Sequence, residues 1–84
     1  MTSNFSEWLE LETDITFKSR RDIVSRLKRV SNFINIDKVE NDEEVRYLLS
    51  QNKNFMALSV FVQAQLKRSI HLYLMFRSQK TLGA

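Results

Sequence analysis

His71 is the single histidine of this 84-residue chain, and cysteine is absent. A catalytic base needs a group that orients it, and on a helix that group stands three or four residues away. Around His71 those positions hold Lys67, Arg68, Leu74 and Met75, with no carboxylate among them. The expected role is therefore a contact on a helix face. No His pair or His–carboxylate pair on one helix has the spacing of metal ligands. A phosphate-cradling loop needs several glycines, and Gly83 is the only one. Asp42, Glu43 and Glu44 are consecutive, but they open a helix, where the macrodipole favours negative charge. This inventory predicts no catalytic residue, no metal site, no cofactor and no small-molecule substrate. The chain is expected not to be an enzyme.

A second kind of chemistry is carried by charge. Lys18, Arg20, Arg21, Arg26, Lys28 and Arg29 fall in one short segment, and Asp22 is the single acid among them. Bases without acids at i+4 do not neutralise each other along a helix. Such a run is either a solvated face or a face for a polyanion. Ser19 and Ser25 stand among the bases, and phosphate-facing helices combine Arg and Lys with shorter hydrogen-bonding side chains. Gln63, Gln65, Lys67, Arg68 and His71 repeat the mixture further along. Charge alternates by segment: residues 1–17 hold four acids and no base, 18–36 are basic, 37–52 are acidic, and 53–84 hold five bases and no acid. The net charge is +3. Segregated charge of this kind predicts a dipolar surface with a basic face.

These side chains must be positioned by helices. Proline is absent and glycine is confined to the tail, whereas tight strand turns draw on both. Asn is the usual substitute for Gly at helix ends, and Asn32, Asn35, Asn41, Asn52 and Asn54 lie between the periodic segments. The pattern predicts an all-α fold: one small four-helix domain over residues 1–84, an orthogonal bundle. The first helix spans about 5–13, with Asn4 and Glu7 at capping-box spacing and Phe5, Trp8, Leu9 and Leu11 inward. The second spans about 20–34, capped by Ser19. Its stripe is Ile23, Leu27, Val30 and Ile34, and Lys18, Arg21, Ser25, Lys28 and Arg29 stand opposite. The third spans about 42–51, capped by Asn41, with Val45, Leu48 and Leu49 inward and Tyr47 fitting either side. The fourth spans about 60–78, capped by Ser59. Val62, Leu66, Ile70, Tyr73 and Phe76 are its stripe, Gln63, Lys67, His71 and Ser78 stand opposite, and Arg68 lies on the flank. Residues 79–84 are expected to fray. The first residues lack a basic region followed by a long apolar run, so neither leader nor membrane anchor is expected, and a cytoplasmic location is.

In their order, these features resemble the N-terminal SAM-like, or core-binding, domain of tyrosine recombinases and phage integrases. The likeness is carried by Phe5-Ser6-Glu7-Trp8-Leu9, then by Ser19-Arg20-Arg21-Asp22-Ile23 through Leu27 to Phe33-Ile34. Glu44-Val45-Arg46-Tyr47-Leu48 follows, then Leu58-Ser59 through Leu66, Ile70, Tyr73 and Phe76. It covers roughly residues 4–77 through degenerate positions. Asp22 stands where that family often has Thr, and Leu74 follows His71 where a His-x-x-Arg pair would need Arg. The family's catalytic domain, with its nucleophilic Tyr, has no counterpart, so these residues are not expected to cut or rejoin DNA. The resemblance implies a SAM-like fold whose second and fourth helices face double-stranded DNA. By that implication Lys18, Arg21, Ser25, Lys28 and Arg29 meet DNA from one helix, and Gln63, Lys67, Arg68 and His71 from the other.

A protein-interaction module is the alternative. Phe61, Leu72, Leu74 and Met75 lie outside the last helix's stripe, and Phe55 and Met56 precede it. A core this thin is expected to leave such residues uncovered, ready for a protein partner or a homodimer contact.

Overall fold

Helix α5, Val60–Leu82, is the element on which the others assemble. The computed structural model describes residues 2–82, and among them the chain is all-α, with no strand. Five helices follow in order: α1 Thr2–Glu12, α2 Phe17–Val30, α3 Asp42–Ser50, α4 Lys53–Met56 and α5. Helix α2 packs most extensively along α5, α1 lies against both, and α3 packs on α4 and α5.

Apolar spacing explains which faces meet. Ile23, Leu27 and Val30 of α2 are buried against Leu66, Ile70 and Tyr73 of α5 in one core. Phe5 and Leu9 of α1 and Val45 and Leu49 of α3 close it from either side, with Phe55 from α4 and Ile36 and Val39 from the α2–α3 loop. Aromatic rings fill the α1–α5 contact. The Phe5 ring meets Tyr73 edge-on at 5.3 Å, and Trp8 lies 5.8 Å from Phe76. Trp8 Nε1 also donates to Gln79 Oε1 at 2.8 Å, which gives the half-buried indole its polar partner.

Several helix ends differ from those expected. Helix α2 begins a turn early: Thr16, not Ser19, is the cap, and its Oγ1 accepts from the Ser19 N–H at 3.3 Å. Arg20 Nη1 donates to the Ile15 carbonyl at 2.7 Å, which fastens the entering chain to this first turn. The helix stops at Val30 rather than 33 or 34, where Ser31 Oγ bonds the Lys28 carbonyl and turns follow. Helix α1 begins at Thr2, so Asn4 is inside it and forms no capping box with Glu7. A fifth helix, α4, interrupts the expected connection, capped by Asn52 through the Phe55 N–H at 3.0 Å. The caps at Asn41 and Ser59 are formed as expected, through Glu44 N–H and Val62 N–H. Helix α5 continues to Leu82 instead of fraying from residue 79; Gly83 and Ala84 of the expected tail lie outside the described residues.

The α2–α3 loop is held by long-range hydrogen bonds. Arg77 Nη1 donates to the carbonyls of Ile36 and Val39 at 3.1 and 2.7 Å. Asn52 Nδ2 donates to the Phe33 carbonyl at 3.2 Å. Backbone carbonyls that leave water need such partners.

Leu72, Leu74 and Phe55 are not available to a partner: Phe55 is fully buried, and the two leucines are packed against the core. Because α5 is touched on several sides, it needs a wider apolar surface than one stripe. Phe61 and Met56 are exposed as expected, and so are Val60, Phe17 and Tyr47; Leu11, expected to point inward, is exposed as well. Met75 is also partly exposed. No helix among the described residues is long and apolar enough to cross a membrane.

Candidate nucleic-acid interface

Helix α2 turns its apolar side to α5 and α1, so the residues opposite Ile23, Leu27 and Val30 face solvent. Lys18, Arg21, Ser25, Lys28 and Arg29 are all exposed. At about 100° per residue they fall within one arc of the helix. The early start at Phe17 matters here, since it places Lys18 on the helix and in line with the others. From Lys18 to Arg29 the row extends roughly 16 Å at 1.5 Å per residue. Among the described residues, none of its four cations makes a salt bridge within the chain. Asp22 lies at the edge of this row, in the shallow depression lined by Lys18, Arg21 and Ser25. A second depression, lined by Arg21, Ser25 and Lys28, is bounded by Ser6 of α1.

Arg20 and Arg26, the other bases of this segment, are half-buried. Arg20 is bonded to the Ile15 carbonyl and lies 5.7 Å from the Phe17 ring. These two side chains therefore stand apart from the exposed row, and the sequence alone did not separate them from it.

The residues expected to contribute from the last helix are placed differently. Gln63 Nε2 donates to the carbonyls of Leu58 at 2.8 Å and Met56 at 3.3 Å, which closes the α4–α5 corner. Lys67 is half-buried with its ammonium 6.0 Å from the Phe55 ring centroid. His71 Nδ1 lies 2.7 Å from Asp42 Oδ2 at the start of α3. Arg68 is exposed. His71 thus has a carboxylate partner after all. Spacing along one helix does not find it, because it lies 29 residues away on another helix. Lys67, Arg68 and His71 line a cleft between α3 and α5 with Asp42, Val45, Arg46 and Ala64. None of the α2 row lines that cleft, and none of the α5 set lines the depressions on α2. The α2 row and the α5 residues Lys67, Arg68 and His71 thus line different clefts.

A metal ion would need several donors in one place. Among the described residues no group of three or more His, Asp or Glu side chains converges.

Comparison with protein-family models, with curated proteins and with solved structures finds no match to this chain.

Proposed function

We propose that the chain is a DNA-binding helical domain, which grips the duplex phosphates with the exposed row on α2. One observation carries this reading: Lys18, Arg21, Lys28 and Arg29 stand along one helix face, exposed and unpaired among the described residues. Cations that stabilise a fold are usually paired with acids or with the last carbonyls of a helix. Lys28 and Arg29 do lie in the last turn of α2, where the helix dipole favours them. Lys18 lies in the first turn, where that dipole opposes positive charge, a placement consistent with an anionic partner.

The work of such a face is electrostatic. Each phosphate neutralised releases condensed counterions, and the entropy of that release drives binding. Ser25, central in the row, supplies a short hydroxyl donor among the long cations, which suits a phosphate oxygen held between them. The likeness to the core-binding domain of tyrosine recombinases points to the same helix. Gln63, Lys67 and His71 each make a contact within the chain, whereas the α2 cations make no salt bridge among the described residues, and the proposed footprint centres on α2.

Fluorescence anisotropy with a labelled duplex, titrated over salt, tests this. Four phosphate contacts give a log–log slope of about −3.6. Affinity should then fall roughly a hundredfold between about 50 and 200 mM salt. A slope near zero, or no binding at low salt, would remove the proposal.

A further inference from the structure

The cleft between α3 and α5 has a volume of about 560 Å³. Val45 and Ala64 form its apolar floor, and Arg46, Lys67 and Arg68 stand around it. The His71–Asp42 pair occupies one end, and the three bases Arg46, Lys67 and Arg68 outnumber that single carboxylate around the cleft. Among the described residues Arg46 and Arg68 have no acidic partner. An apolar floor with a cationic rim is shaped for a segment that offers an apolar side chain flanked by carboxylates.

The chain itself carries such a segment on its other side. Phe5 and Leu9 face the core, and at 100° per residue Glu7, Glu10 and Leu11 stand together on the outward face of α1. Leu11 is 79% exposed on that face. Glu7 and Glu10 are exposed as well, and neither forms a salt bridge within the chain among the described residues. The two surfaces share no residue, so one copy can offer both at once.

We propose that the α3–α5 cleft receives the outward face of α1 from a second copy of this chain. Leu11 enters over Val45 and Ala64, and Glu7 and Glu10 meet Arg46 and Arg68. The contact is head-to-tail. Each copy then keeps one free cleft and one free α1 face, so association continues into longer chains instead of closing as a two-fold dimer. None of the α2 row takes part, so this inference stands apart from the DNA reading.

Light scattering and sedimentation of the full chain, without DNA and at low salt, provide the test. The expected result is a mass that rises with concentration beyond two copies and falls back towards one as salt is added. Two variants settle the geometry. Glu7→Gln with Glu10→Gln removes the charged knob, and Arg46→Gln with Arg68→Gln removes the rim. All four side chains are exposed, so both variants should fold, which circular dichroism checks. Each alone should remain a single chain, and an equimolar mixture should form pairs and stop there. A wild-type mass of one chain at every concentration would overturn the proposal. So would a mass that saturates at two copies, or association that survives in either variant alone. If the Arg46/Arg68 variant instead loses DNA affinity as strongly as a variant of the α2 row, the cleft is part of the DNA surface and not a seat for α1.

Discussion

Tyr73 donates its hydroxyl to Asp37 Oδ1 at 2.9 Å, joining the middle of α5 to a loop 36 residues earlier. Burial pushes the phenol up from 10.0 to about 12. The hydrogen bond to Asp37 and the negative charge there add to the rise, and the Arg77 charge opposes it. A phenol whose pKa is raised in the folded state stabilises the fold below its unfolded value and loses that contribution as pH rises through the folded one. Stability should therefore decline between pH 10.0 and about 12. In Tyr73→Phe the decline should be shallower, because the titrating group is gone. At neutral pH the same substitution should cost about 1 kcal/mol for the lost hydrogen bond. Thermal melts of both proteins across that pH range measure each effect.

Arg77 closes the same loop through two carbonyls, Ile36 and Val39. Its removal leaves acceptors without the donor that satisfies them, and such groups cost about 1–3 kcal/mol when water cannot reach them. Arg77→Ala should destabilise the fold by about that amount. Arg77→Lys keeps a charged donor nitrogen but not the guanidinium's length and plane, so it should fall between the two. Urea unfolding gives the order, and equal stability of all three would refute the role.

Asn52 does two things with one amide. Its oxygen caps α4 at the Phe55 N–H, and its nitrogen holds the Phe33 carbonyl. Asn52→Ala loses both and should cost about 1–2 kcal/mol. Asn52→Asp keeps the cap but sets an acceptor oxygen against the Phe33 carbonyl in place of the donor, so its cost is that of the Phe33 side of the bond alone, lost and made repulsive. The Phe33 ring stacks edge-on with Phe55 at 5.7 Å. Chemical denaturation of the two variants separates these contributions.

The parts of this fold that were legible in the sequence are the local ones. Ile23, Leu27 and Val30, and Leu66, Ile70, Tyr73 and Phe76, recur at helical spacing, and they are buried. Asn41 and Ser59 were readable as caps, since each places an oxygen three residues before an N–H that needs an acceptor. At the start of α2 the same rule admits two caps, Thr16 and Ser19. The helix begins at Thr16, where Arg20 also holds the Ile15 carbonyl, a bond the capping rule does not weigh. Helix α4 was missed because four residues are too few to show a period.

The candidate site divides in the same way. The α2 row was legible because one helix face is a property of one helix. Partners from other helices were not: Asp42 for His71 and the Phe55 ring for Lys67 are contacts between separate elements. Whether two basic faces converge is likewise decided by packing, which no spacing along the chain records. Leu72 and Leu74 looked surplus to a single stripe, yet they pack against the core because α5 is enclosed from several directions.

The most direct test compares two charge changes in one anisotropy experiment at low salt. Arg21→Glu with Lys28→Glu reverses the middle of the α2 row, and Lys67→Gln with Arg68→Gln neutralises the α5 set. If α2 carries DNA contact, the first variant loses nearly all affinity, and its residual binding responds less steeply to salt. The second should retain most of its affinity. Full affinity in the Arg21/Lys28 variant, with circular dichroism showing both variants folded, would contradict the account.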